Sequence, residues 1–270
     1  MTENLLNHPL ISSRYFYPVR ESFAKVFWVK NGEFKLSCFY HHKASNPVTI
    51  LFFHGNGESC ADYLEDFFDE IKKLKVNFFI AEYRGYGLSD GEASLFGIFE
   101  DLKLFAEALK CNFNQLIVMG RSIGSIFALE FVKQYPLTAG LILESSVSQP
   151  YQRLLNYVNT KELGCSEAEL KEACDKYLDH FQKIISFYGH TLVLHCQNDD
   201  IVDIQHGNEL YEWANDPKRA RFFERGHHNN IMFVNKIEYY SAINEMIRII
   251  ESHNTPTKKT RNRFFPYFWR

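Results

Sequence analysis

One serine stands out by what surrounds it. In Gln115-Leu-Ile-Val-Met-Gly-Arg-Ser-Ile-Gly-Ser125, Ser122 lies between Gly120 and Gly124, after an apolar run that reads as a strand and before IFALEFVKQY, which reads as a helix. A Gly-x-Ser-x-Gly arises by chance in roughly one chain in ten of this length, and the strand–turn–helix setting gives this one further weight. Its glycines remove side chains that would clash in a tight turn. The turn lifts the hydroxyl clear, and the helix N-terminus aims N–H groups at an oxyanion forming beside it. Such a hydroxyl is a weak nucleophile until a base takes its proton and an acid holds that base in the right tautomer. Downstream, TLVLHC is followed by Gln197-Asn-Asp199-Asp200-Ile-Val-Asp203, and RFFE by Arg225-Gly-His227-His228-Asn229-Asn230. The residues leave the acid open between Asp199 and Asp200 and the base between His228 and His227; Asp203 reads as a helix N-cap.

Upstream, the strand at 48–53 ends in His54-Gly55-Asn56-Gly57. This loop is expected to supply a second oxyanion N–H, from Asn56 first and Gly57 second, beside that of Ile123. Gly57, Tyr83 and Arg121 are candidates for touching the substrate. The alternatives are that Tyr83 holds its own loop and that Arg121 anchors a neighbouring one. His54, His195 and His206 read as structural.

These groups need a frame. Segments 22–30 and 33–40 alternate around Asn31-Gly32, a favoured type I′ pair, and read as a β-hairpin. Short apolar runs at 48–53, 77–82, 115–119, 140–143, 191–195 and 221–223 alternate with helical patterns near 59–74, 94–110, 123–135, 204–214 and 236–251. That alternation implies an α/β fold, with a mostly parallel central sheet covered by helices on both faces. Residues 147–189 break the rhythm with a capping box, Ser166-x-x-Glu169, and leucines and aromatics at helical spacing. They read as a helical cap over the sheet edge where ligands bind. Residues 1–252 are taken as one domain, and 253–270 as a basic and aromatic tail.

The 270 residues carry a net charge of −3, which argues against nucleic acid as a partner. Six cysteines without paired spacing argue against a metal cluster or disulfide framework and suit a cytoplasmic protein, as does an N-terminus without a secretory pattern. No metal or organic cofactor is expected. RNRFFPYFWR, at 261–270, combines cations with aromatics; it could meet a membrane interface or a partner, or fold back on its own domain.

Taken together, HGNG, YRGYGLSDG at 83–91, GRSIGS, HCQNDDIVD and GHHNN resemble the α/β hydrolases, closest to the branch of depalmitoylating thioesterases and bacterial esterase-like or peptidase-like enzymes. The likeness covers roughly residues 25–250. It implies the α/β-hydrolase fold and a Ser-Asp-His triad. An H-G-x-x-D-x-x-V segment supplies the acid in that branch, which selects Asp199, and a G-H-N-D segment supplies the base, which selects His228. Here Cys196 stands where the family has glycine, and Asn230 where it often has aspartate. A cap rich in Leu, Tyr and Phe points to an acyl or other hydrophobic substrate group, hence an ester or thioester rather than a peptide. Two competitors are a dinucleotide unit on Gly55-x-Gly57, weakened by Cys60 at the third glycine position, and a catalytically silent binding module.

Overall fold

The computed structural model describes residues 5–42 and 48–254. Four short apolar segments, β3 (Thr49–Phe53), β4 (Asn77–Ala81), β5 (Leu116–Arg121) and β6 (Gly140–Glu144), are buried at every position. β7 (His190–Cys196) is buried at all but its first residue. Strands hidden on both faces must feed two cores, and their alternate residues do so. Leu51, Phe53, Val118 and Leu141 enter one core, while Ile50, Phe52, Ile117 and Ile142 enter the other. With β1 (Phe27–Asn31), β2 (Phe34–His41) and β8 (Lys218–Phe223) they form an eight-stranded sheet of order β1-β2-β4-β3-β5-β6-β7-β8. The β1–β2 and β2–β4 pairs are antiparallel and the rest parallel.

On one face lie α1 (Pro9–Tyr15), α3 (Leu95–Leu109), α4 (Gly124–Gln134) and α8 (Ile204–Trp213). On the other lie α2 (Asp66–Lys73) and α10 (Lys236–Asn254). Between β6 and β7 come α5 (Pro150–Leu155), α6 (Glu167–Tyr177) and α7 (His180–Ile185). Ser166 and Glu169 cap α6 reciprocally. One further helical turn, α9 (Ile231–Val234), precedes α10.

Departures from the sequence reading have local causes. The hairpin register pairs Asn31 with Phe34, so the two-residue loop is Gly32-Glu33, one position later than expected. Gly32 takes the positive φ, +61°, which fits a type II′ rather than a type I′ turn. β8 begins three residues before 221, because an edge strand opening Lys-Arg-Ala-Arg alternates exposed and half-buried positions and shows no apolar run. α1 follows His8, whose side chain caps it; Pro9 at its first turn was the available signal. Among the described residues no helix is long and apolar enough to cross a membrane. The contact expected of residues 261–270 lies outside the described residues.

Candidate active site

Ser122 follows β5 directly and adopts φ +53°, a left-handed conformation unusual for a residue with a side chain. Its N–H donates to the Glu144 carbonyl at the end of β6, 2.9 Å away. The flanking glycines are required by close packing. A Cβ on Gly120 would lie 2.6 Å from the Gly124 carbonyl oxygen, and one on Gly124 would overlap the Phe53 carbonyl at the end of β3. The start of α4 is thereby pressed against the loop after β3.

His228, in the loop after β8, places Nε2 3.1 Å from Ser122 Oγ and Nδ1 2.9 and 3.0 Å from the two Asp199 carboxylate oxygens. Both side chains are buried, His228 at 4% and Asp199 at 0% exposure. Asp199 Oδ1 also accepts from the N–H groups of Ile201 and Val202, at 3.0 and 2.8 Å. His195 Nε2 approaches Oδ2 at 3.4 Å while bonding the Val202 carbonyl at 2.8 Å. Burial acts to raise the Asp199 pKa, but the His195 and His228 hydrogen bonds and the Val202 N–H outweigh it and hold the carboxyl far below its usual range. The alternatives, Asp200 and His227, stand outside at 66% and 48% exposure, 3.7 Å from one another. Asp203 caps α8 as expected.

The loop after β3 faces the serine. Asn56 and Ile123 line the same cavity, of about 300 Å³, as Ser122 and His228. The Asn56 side chain is occupied elsewhere. Its Oδ1 accepts from the Tyr17 N–H and the Tyr86 hydroxyl, both at 2.9 Å, and its Nδ2 donates to the Tyr15 carbonyl at 2.6 Å. Asn56 therefore ties the segment after α1 to the site, and its backbone N–H enters none of these bonds. His54 is fully buried, bonded through Nε2 to Glu82 at 2.9 Å and through Nδ1 to the Gly55 carbonyl at 2.8 Å. Burial works to lower its pKa, but the Glu82 hydrogen bond and charge raise it overall. His54 braces the loop.

Two substrate-contact expectations need correction. Tyr83 is 1% exposed and lines no part of the cavity; its hydroxyl donates to the His54 carbonyl at 2.7 Å, so it holds the loop. Gly57 is exposed and is not among the residues lining the cavity; φ +72° turns the chain there. Arg121 does reach the cavity, but its polar contacts are with the protein. Nη1 meets Glu58 Oε1 at 2.5 Å, Nη2 donates to the His228 carbonyl at 3.0 Å and to Asn229 Oδ1 at 3.2 Å, and Nε pairs with Glu144 Oε1 at 3.2 Å. Glu58 Oε2 also accepts from the Gly55 N–H at 2.6 Å and the Tyr63 hydroxyl at 2.5 Å, and Glu144 Oε2 accepts from the Tyr239 hydroxyl at 2.5 Å. One buried cation thus joins the loop after β3, the end of β6 and the histidine loop.

The sequence reading also missed Glu58, Glu144, Tyr17, Tyr157 and Arg153. Glu144 had left a signal, an acid closing the apolar strand Gly-Leu-Ile-Leu-Glu. The leucines of the inserted segment do not face the cavity. Leu154, Leu163, Leu170 and Leu178 are buried in the core instead, while Val147, Arg153 and Tyr157 reach the site. The leucines therefore supply no apolar lining; Ile123, Val147 and Ile201 do. Among the described residues no group of three or more His, Cys, Asp or Glu side chains could hold a metal ion.

Sheet order, helices on both faces and a strained serine at the end of a central strand define an α/β hydrolase. The chain has the α/β-hydrolase fold, and comparisons with known proteins agree with it. A model of the family described as "Serine aminopeptidase, S33" matches residues 44–165. The chain is similar to human alpha/beta hydrolase domain-containing protein 17C, at 26% identity over 231 residues, covering 82% of this chain and 64% of that one. Protein 17B of Xenopus tropicalis is 24% identical over 202 residues, covering 73% and 66%. The chain thus spans slightly less than two thirds of the length of these relatives. Among solved structures, an esterase of Pyrococcus furiosus superposes with a TM-score of 0.67 at 17% identity, covering 87% of this chain and 96% of that one. A predicted CIB-like hydrolase of Thermoplasma acidophilum gives 0.63 at 17% identity, covering 83% and 98%.

Proposed function

We propose that this chain is a serine hydrolase that cleaves a carboxylic ester or thioester through an acyl-enzyme. The observation that carries the reading is the continuous run Ser122 Oγ, His228 imidazole, Asp199 carboxylate at 3.1 and 2.9 Å, opening on a cavity beside a helix N-terminus. Ser122 Oγ attacks the carbonyl carbon as His228 Nε2 takes its proton, and Asp199 holds Nδ1–H and stabilises the imidazolium. The N–H groups of Ile123 and Asn56 receive the oxyanion, each worth about 3 kcal/mol. The leaving group departs with the proton from His228. Water, deprotonated by the same imidazole, then releases the acid and restores the serine.

The match to a serine aminopeptidase family favours a second reading, amide or peptide cleavage. An aminopeptidase must accommodate a substrate ammonium. Arg121 at this cavity is matched by Glu58 and Glu144, which leaves the Arg153 guanidinium as a charge that would repel one. That favours esters and thioesters. The branch resemblance extends the thioester reading to a depalmitoylase-like activity. The polar walls argue instead for a short or polar acyl group.

A panel of p-nitrophenyl esters of increasing chain length, acyl thioesters and aminoacyl anilides tests this, with rapid-mixing kinetics on the best ester. Expected are a burst of p-nitrophenol equal to the enzyme concentration, thioester cleavage, and anilide turnover at least about a hundredfold lower. Faster cleavage of anilides than of esters would establish the peptidase reading in its place.

A further inference from the structure

Arg153 rises from α5 into the cavity that holds Ser122 and His228. Its guanidinium lies over the Tyr157 ring, 5.6 Å from the centroid, and Nη1 donates to the Ile201 carbonyl at 3.0 Å. These contacts fix where the group stands without neutralising it. No ion pair among the described residues includes Arg153, and no carboxylate among them lines the cavity. Arg121, by contrast, is matched by Glu58 and Glu144. Arg14, which bonds the Tyr157 carbonyl from the far side, is paired with Glu162. Arg153 is therefore the cation of this cavity whose charge no protein acid answers, and the rest of its donor fork has no partner among the hydrogen bonds of the described residues.

Its neighbours are phenols. Tyr15 and Tyr157 meet edge to face at 5.2 Å, and with Tyr17 they share the cavity wall. A guanidinium beside tyrosines, with no carboxylate in the wall, matches an anionic oxygen group and repels a cation. The cavity volume, about ten waters' worth, leaves room for a compact polar substrate.

We propose that this wall binds an anionic group of the substrate, a carboxylate or a phosphate, carried away from the scissile carbonyl and held by Arg153. The proposal rests on the acyl-transfer reading of the same cavity. It gives the enzyme a substrate class, esters or thioesters bearing a negative charge on one arm.

The test separates binding from chemistry. The Ser122→Ala protein is titrated calorimetrically with 4-acetamidobenzoate, 4-acetamidophenyl phosphate and the neutral methyl 4-acetamidobenzoate. At least one anion is expected to bind about tenfold or more tightly than the neutral ester, and which one does so distinguishes carboxylate from phosphate. Adding Arg153→Gln should bring the anion-to-neutral ratio near one, and Arg153→Lys should keep part of it. Because the ratio is taken within each variant, loss of folded protein cancels. Equal binding of all three probes, or a ratio that survives Arg153→Gln, overturns the proposal. Parallel labelling of the parent protein with a fluorophosphonate tells the two readings apart. Labelling without anion preference removes the subsite alone; anion preference without labelling removes the acyl-transfer reading and leaves the subsite.

Discussion

Replacing Arg121 by methionine keeps an unbranched apolar stem and deletes the guanidinium, so the change isolates the charge. Arg121 is 3% exposed, and its partners Glu144 and Glu58 are 0% and 21% exposed. Glu144 loses the cation beside it and can recover nothing from water, while Glu58 recovers part. Removing one member of a buried pair costs about 3–5 kcal/mol, and for a domain of this size each kcal/mol moves Tm by about 2–4 °C. Melting should therefore fall by about 6–20 °C at pH 8. The sign of the pH dependence follows from Glu144. Burial already raises its pKa, with Arg121 and the Tyr239 hydroxyl opposing. Without Arg121 the folded-state value climbs further above the unfolded one. Across that interval the folded variant binds more protons than the unfolded chain, so its stability drops as pH rises and recovers as pH falls. Thermal melts of both proteins at pH 5, 6.5 and 8 should show the deficit shrinking toward pH 5. Adding Glu144→Gln should recover much of it, because the orphaned charge is then gone. A deficit below about 1 kcal/mol, or one equal at pH 5 and pH 8, would show that the network does not behave as a buried charge system.

Two further outcomes follow from the same geometry. Asp199→Asn should lower ester turnover by about four orders of magnitude, whereas Asp200→Asn, at an exposed position, should change it less than about threefold; a steady-state assay on the best ester reads both. The His54–Glu82 pair stabilises the fold below the unfolded histidine pKa of about 6.5, and that contribution is lost as pH rises through the raised folded value. Glu82→Gln should flatten the decline of Tm between pH 6 and pH 9, and an unchanged slope would remove the pair as its source.

How much could be read in the sequence depended on how local the cause was. Ser122, Asp199 and His228 each follow a strand and keep a fixed order, so patterns of ten residues located them and the resemblance chose among neighbours. The central strands were legible because burial on both faces leaves continuous apolar runs. β8 began earlier than expected because its burial alternates behind cations. The ion network was not legible, since Glu58 and Arg121 lie 63 positions apart and meet only when β3 and β5 pair. The cavity walls were hidden for a similar reason. Leucines in the inserted helices suggested an apolar site, but helical residues divide by face: Leu154 and Leu170 turn to the core while Arg153 and Tyr157 line the cavity of the serine. Tyr15 and Tyr17 come from a segment whose place over the site depends on Asn56, 41 and 39 residues away.

The central claim is that Ser122 is an activated nucleophile. Incubating the purified protein with a fluorophosphonate, then measuring intact mass and mapping the modified peptide, tests it without assuming a substrate. One stoichiometric adduct is expected on Ser122, abolished in Ser122→Ala and strongly slowed in His228→Ala. An unmodified parent protein, or equal labelling of the Ser122→Ala variant, would contradict it.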